Sequence, residues 1–108
     1  METVSMPRAY LILLLLIILA SAPAACTGAP QGNPVDGKRW YGLHRCDGCH
    51  GENGGGRKGP ALNATDPGFR RFLGKLRNPR STVMPAFARE QLSDQDAADI
   101  YLWLQSPK

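Results

Sequence analysis

Two cysteines three residues apart, with a histidine directly after the second, constrain this chain more than any other feature of its 108 residues. The stretch is Cys46-Asp47-Gly48-Cys49-His50. On a helical turn that spacing places both thiols on one face. The order C-x-x-C-H is the attachment sequence for haem c. Both thiols can then add to the two vinyl groups along one porphyrin edge, with His50 held beneath the ring as an iron ligand. Two other uses compete. A thioredoxin-like redox pair needs a βαβ setting, and no alternating strand pattern flanks the pentapeptide. A zinc site would have to take its remaining ligands from Cys26 and His44, and neither stands in a second module at zinc spacing. One covalently bound haem c is therefore the expected cofactor.

Residues 1–25 read as a signal peptide, to be set aside before fold reasoning. Arg8 gives a positive opening, Ala9 to Ala20 is an unbroken apolar run, and small residues follow from Ser21 to Ala25. The run is short for a membrane span and is broken by Pro23. Cys26, the cysteine left over from the haem pair, stands where a lipoprotein would be cleaved and acylated. Ordinary cleavage after Ala24, guided by Ala22 and Ala24, is the competing route. Either route places the chain on the outer, periplasmic side of the cytoplasmic membrane, anchored through Cys26 in the first case. Residues 26–34, rich in Gly, Pro, Gln and Asn, read as a flexible tether. Residues 35–108 form one small domain, of the size at which a covalent cofactor supplies part of the core.

That domain reads as all-α. Asp36 is the expected cap of a first helix carrying Gly37, Trp40, Tyr41 and His44 and running into Cys46. A second is expected from an Asp66 cap with Pro67 at its first position, followed by Phe69, Phe72, Leu73 and Leu76 at helical spacing, and stopped by Asn78-Pro79. Ser93 caps the third, where Ala97, Ile100, Tyr101 and Leu104 form the stripe. The glycine-rich stretch from Gly51 to Ala64 has no preceding strand and no Gly-Lys-Ser/Thr. It is read as a loop around a haem edge and not as a phosphate cradle.

Over Gly37 to Ser106 the chain resembles the small class I c-type cytochromes, with the matching elements in the family's order. Gly37 to Tyr41 is similar to the family's N-terminal helix, with Ile100 and Trp103 as partners on the last helix. Gly59-Pro60-Ala61-Leu62 resembles the turn whose proline carbonyl accepts a hydrogen bond from the proximal histidine. The resemblance thus implies a role for Pro60 in fixing the ring of His50. Val83-Met84-Pro85-Ala86-Phe87 resembles the distal loop that supplies an axial methionine. It implies three to four short helices wrapped around one haem.

Met84 is also singled out by its setting. Met1 and Met6 lie in or before the leader, so Met84 is the sole thioether of the mature domain. It lies between two expected helices, off any apolar stripe, and Pro85 biases it toward an extended backbone. His44, two residues before Cys46, is read as a packed or partly exposed helix residue that does not reach the opposite haem face. With His50 and Met84 both on iron, no position is open to substrate. The expected activity is one-electron transfer between redox partners, and the protein is expected not to be an enzyme. Two alternatives remain: a peroxidase-like or gas-responsive protein with a labile Met84, and a dedicated subunit of a larger dehydrogenase or oxidase.

The formal charge is +4, and removing the leader takes away one base, Arg8, and one acid, Glu2. Arg70, Arg71, Lys75, Arg77 and Arg80 cluster on and after the second helix. They are read as a docking face for acidic redox partners or, equally, as a solvated helix surface. Nucleic-acid binding is not expected of an exported haem domain.

Overall fold

Proline at a first helical position lacks an N–H that the helix would leave unsatisfied anyway. In the computed structural model, which describes residues 3–19 and 31–108, helix α2 opens in this way. It spans Pro34–Leu43, and the Asn33 side chain caps it by accepting from the Val35 amide at 3.0 Å. Asp36 is therefore not the cap. It sits in the first turn, where the helix dipole favours a carboxylate, and pairs with Arg39 at 3.4 Å. The helix also stops short of the cysteines. Arg45 takes a φ of +60°, and the turn closes through the Cys46 amide donating to the Tyr41 carbonyl at 3.1 Å.

The remaining elements are α1, Arg8–Leu19; α3, Asp47–His50; α4, Phe69–Arg77; and α5, Asp94–Gln105. No strand occurs among the described residues, and the all-α expectation holds. Helix α4 starts later than expected, with Gly68 as its cap residue. Asp66 does not cap it. Its carboxylate instead accepts from the Gly68 amide at 2.9 Å and from the Tyr101 hydroxyl of α5. Helix α5 begins as expected, in a full capping box: Ser93 accepts from the Asp96 amide, and Asp96 from the Ser93 amide.

The core lies where α2 crosses α5, with α4 packed alongside α5. It consists of Tyr41, Leu76, Leu92, Ala97, Ile100, Trp103 and Leu104. The two backbones meet at Gly37, where a β-carbon would stand 2.0 Å from the Asp99 carbonyl oxygen and 2.9 Å from Cβ of Trp103. Only glycine permits that approach. One turn on, the rings of Tyr41 and Trp103 lie 4.8 Å apart. Residues 31–34, counted to the tether from sequence, belong to the folded part: Pro34 opens α2, and the residues before it are held against α5. Asn33 donates its amide to buried Asp99 at 2.8 Å, and Gln95 donates to the Gln31 carbonyl at 2.6 Å. Cys26, the cleavage positions and the rest of the tether lie outside the described residues.

Candidate functional site

Helix α3 is a single turn, and it carries the pentapeptide. The His50 amide donates to the Cys46 carbonyl at 2.9 Å, so Cys46, Cys49 and His50 are held in one helical register. Cys46 is half-buried and Cys49 exposed, and neither is in a disulfide. Burial pushes the Cys46 thiol up to about 11. A thioredoxin-like attacking cysteine needs a depressed pKa, so this thiol is unsuited to that role. Among the described residues no three His, Cys, Asp or Glu side chains are grouped to hold a metal ion.

His50 is buried at 8 % exposure, and its Nδ1–H donates to the Pro60 carbonyl at 2.8 Å. A carbonyl only accepts, so the proton is on Nδ1 and the lone pair of the neutral ring is on Nε2. The loop that supplies this carbonyl is tied to the same helical turn. Gly59 donates to the Cys49 carbonyl and Gly56 to the His50 carbonyl, each at 2.7 Å. A β-carbon on Gly59 would lie 2.9 Å from Cε1 and 3.0 Å from Nδ1 of His50, so glycine lets the loop close over the ring. The buried Tyr41 hydroxyl adds a further tie, donating to the Gly51 carbonyl at 2.7 Å. Sequence reasoning missed that contact, whose partners sit ten residues apart with no shared motif.

Met84 lies on the segment between α4 and α5. Its neighbours Val83, Pro85 and Ala86 face solvent, while Met84 turns inward against the core. Ser81 Oγ accepts from the Val83 and Met84 amides, each at 3.2 Å, and the Phe87 amide donates to the Leu76 carbonyl at 2.8 Å. Met84 thus joins a half-buried apolar rim around the core, together with Trp40, Cys46, Leu62, Phe72 and Phe87. His44 is packed, as expected, with its ring edge-on to Phe87 at 5.6 Å and 6.5 Å from Trp40.

The basic cluster divides. Arg70, Arg71, Lys75 and Arg80 are exposed. Arg77 is not part of a free face: its guanidinium donates to Asp94 at 2.6 Å and to the Phe87 carbonyl at 3.0 Å, and its side chain is 22 % exposed. Its acceptors lie on later segments, so only tertiary contact separates it from its neighbours.

The residues present fit a covalently attached haem. They offer two unpaired thiols one turn apart, an imidazole with a single free nitrogen, an inward thioether and an apolar rim. Short helices around one core, with this turn and its carbonyl-bound histidine, define the class of c-type cytochromes. Residues 32–104 match the family model described as cytochrome c oxidase, cbb3-type, subunit III, and the chain belongs to that family. A c-type cytochrome domain implies covalently bound haem c. No curated protein and no solved structure matches the chain.

Proposed function

We propose that this protein is a monohaem c-type cytochrome that passes single electrons between redox partners and makes no bond to substrate. The observation that carries this reading is the His50–Pro60 hydrogen bond, which leaves Nε2 as the only ring nitrogen free to bind iron. When bound, the haem iron supplies a one-electron Fe(III)/Fe(II) couple. The chain's residues hold and tune it. Cys46 and Cys49 would tether the porphyrin as thioethers, and His50 and Met84 would ligate the iron. A neutral thioether favours the reduced state and raises the potential. Met84→Ala is expected to keep covalent haem but lose the red-region sulfur-to-iron charge-transfer band. Its reduced form is also expected to bind carbon monoxide. An unchanged spectrum would exclude Met84 as ligand, and carbon monoxide binding by the parent protein would favour the labile-ligand alternative.

The family match supports a more specific role, as an electron-transfer subunit of a terminal oxidase. Stoichiometric co-purification of oxidase subunits from membranes tests it. Arg70, Arg71 and Lys75, all exposed, form the face offered to acidic partners. We further read α1 as the apolar part of an export leader. No described helix is long and apolar enough to cross a membrane. In this reading Cys26 is acylated and holds the domain on the periplasmic side of the membrane. Mass spectrometry of the mature protein reports the cleavage site, the haem and any diacylglycerol together. A mature chain starting elsewhere than Cys26 excludes the anchor.

A further inference from the structure

We propose that Arg77 is a positioning residue for Met84: through Asp94 and the Phe87 carbonyl it pins the segment carrying the thioether to the junction of α4 and α5. The proposal rests on Met84 being the sixth iron ligand, as read above.

Arg77 is the last residue of α4, where an arginine is ordinarily left in water. Here Nη1 donates to the Phe87 carbonyl at 3.0 Å and Nη2 to Asp94 Oδ1 at 2.6 Å. The Phe87 amide donates to the Leu76 carbonyl, so both polar backbone groups of Phe87 are fixed on the end of α4. Asp94 opens α5, and its other oxygen meets Arg89 at 3.2 Å. Three segments therefore converge on one guanidinium. Arg77 Nε is buried without a partner, a cost that a solvated surface arginine would not bear.

Only Pro85 and Ala86 separate Met84 from Phe87, and proline fixes its own φ. The Met84 amide is held on the other side by Ser81 Oγ. Met84 thus lies between two anchors, of which Ser81 belongs to the same loop and only Phe87 is bonded to a helix. Releasing the Phe87 carbonyl leaves the segment carrying the thioether held to the helices only by the Phe87 amide on Leu76 and, further on, by Arg89 on Asp94.

In the ferric holoprotein, imidazole competes with Met84 for iron, and its apparent affinity scales with the fraction of molecules in which the thioether has left. Arg77→Gln removes the charge and the two-pronged donor. It is expected to tighten imidazole binding roughly tenfold or more and to weaken the sulfur-to-iron band, with covalent haem and helix content kept. Arg77→Lys keeps the charge without the rigid fork and should fall between Arg77→Gln and the parent. Imidazole affinity unchanged in Arg77→Gln overturns the proposal. If that variant does not accumulate as folded protein, Asp94→Asn is read instead: tighter imidazole binding supports the clamp, and unchanged binding overturns it. Failure of the ligand reading is distinguishable, because Met84→Ala would then leave both band and imidazole affinity as in the parent.

Discussion

Gly59 and His50 constrain each other atom by atom. The loop must come close enough for the Pro60 carbonyl to reach Nδ1, and at that approach a β-carbon would meet the ring at 2.9–3.0 Å. Gly59→Ala therefore has to shift either the imidazole or the carbonyl. Donation from Nδ1–H to a carbonyl makes a ligating imidazole more basic, and a more basic ligand stabilises ferric iron. Weakening that bond is expected to raise the reduction potential, by up to about 60 mV if the couple changes tenfold. Protein-film or optical redox titration measures this. An unchanged or lower potential in Gly59→Ala would show that the carbonyl does not tune the iron. Tyr41 is a second fixed point: burial pushes its hydroxyl up to about 12, so it remains a donor to Gly51 across the physiological range.

Among the elements, the α2–α5 crossing sets the geometry from which α3 and its pentapeptide follow. Gly37→Ala separates two opposing expectations. Helix propensity alone says alanine stabilises a helix interior by about 1 kcal/mol over glycine. Packing says the reverse, because the new β-carbon would lie 2.0 Å from the Asp99 carbonyl oxygen and neither atom is on a flexible side chain. Overpacking of this kind costs about 1–3 kcal/mol, and here the obstacle is backbone. Packing wins, and Gly37→Ala is expected to be net destabilising by about 2 kcal/mol in urea unfolding of the holoprotein. A stabilised variant would mean that the helices cross further apart than described. At the other end of the core, α4 and α5 are joined by ring contacts of Phe69 and Phe72 with Tyr101, at 5.7 and 5.4 Å. Loop 64–68 is strapped to α5 by Asp66–Tyr101 and by Gln105 donating to the Thr65 carbonyl.

For the whole molecule, charge is distributed by which groups the fold engages. Asp94 is bonded to Arg77 and Arg89, Asp96 to the Ser93 box, Asp99 to Asn33 and Gln95, and Asp66 to Tyr101. Arg70, Arg71 and Lys75 stay exposed on α4. Helix α4, which carries no acidic residue, is thus one basic face of a chain of formal charge +4. If this face receives anionic partners, oxidation of the ferrous protein by hexacyanoferrate should slow as salt is added. In Arg70→Glu/Arg71→Glu the rate at low salt is expected to fall roughly tenfold or more. Equal salt slopes for parent and variant would leave α4 as a solvated surface.

What the sequence by itself determined is the chemistry written within one turn or one short loop. The helical turn Asp47–His50, the Ser93 cap and the Ile100–Leu104 stripe each depend on neighbours one to four residues away. Spacing in the chain is then spacing in space. The Pro60 carbonyl, by contrast, reaches His50 from ten residues on and is indicated only by the family resemblance. The same local reasoning failed where a competing partner lay elsewhere. Asp36 yielded the cap to Asn33, whose placement goes with its amide bonded to Asp99, 66 residues away. Asp66, expected as a cap for α4, is engaged by Tyr101, 35 residues away. Arg77 looked like one more surface base until the fold brought Asp94, 17 residues on, within 2.6 Å. A donor or carboxylate takes the best acceptor or donor that folding brings to it, and that choice is made only when α2, α4 and α5 meet. The pentapeptide pointed to a haem site, and the tertiary structure decided which residues hold the two loops beside it in place.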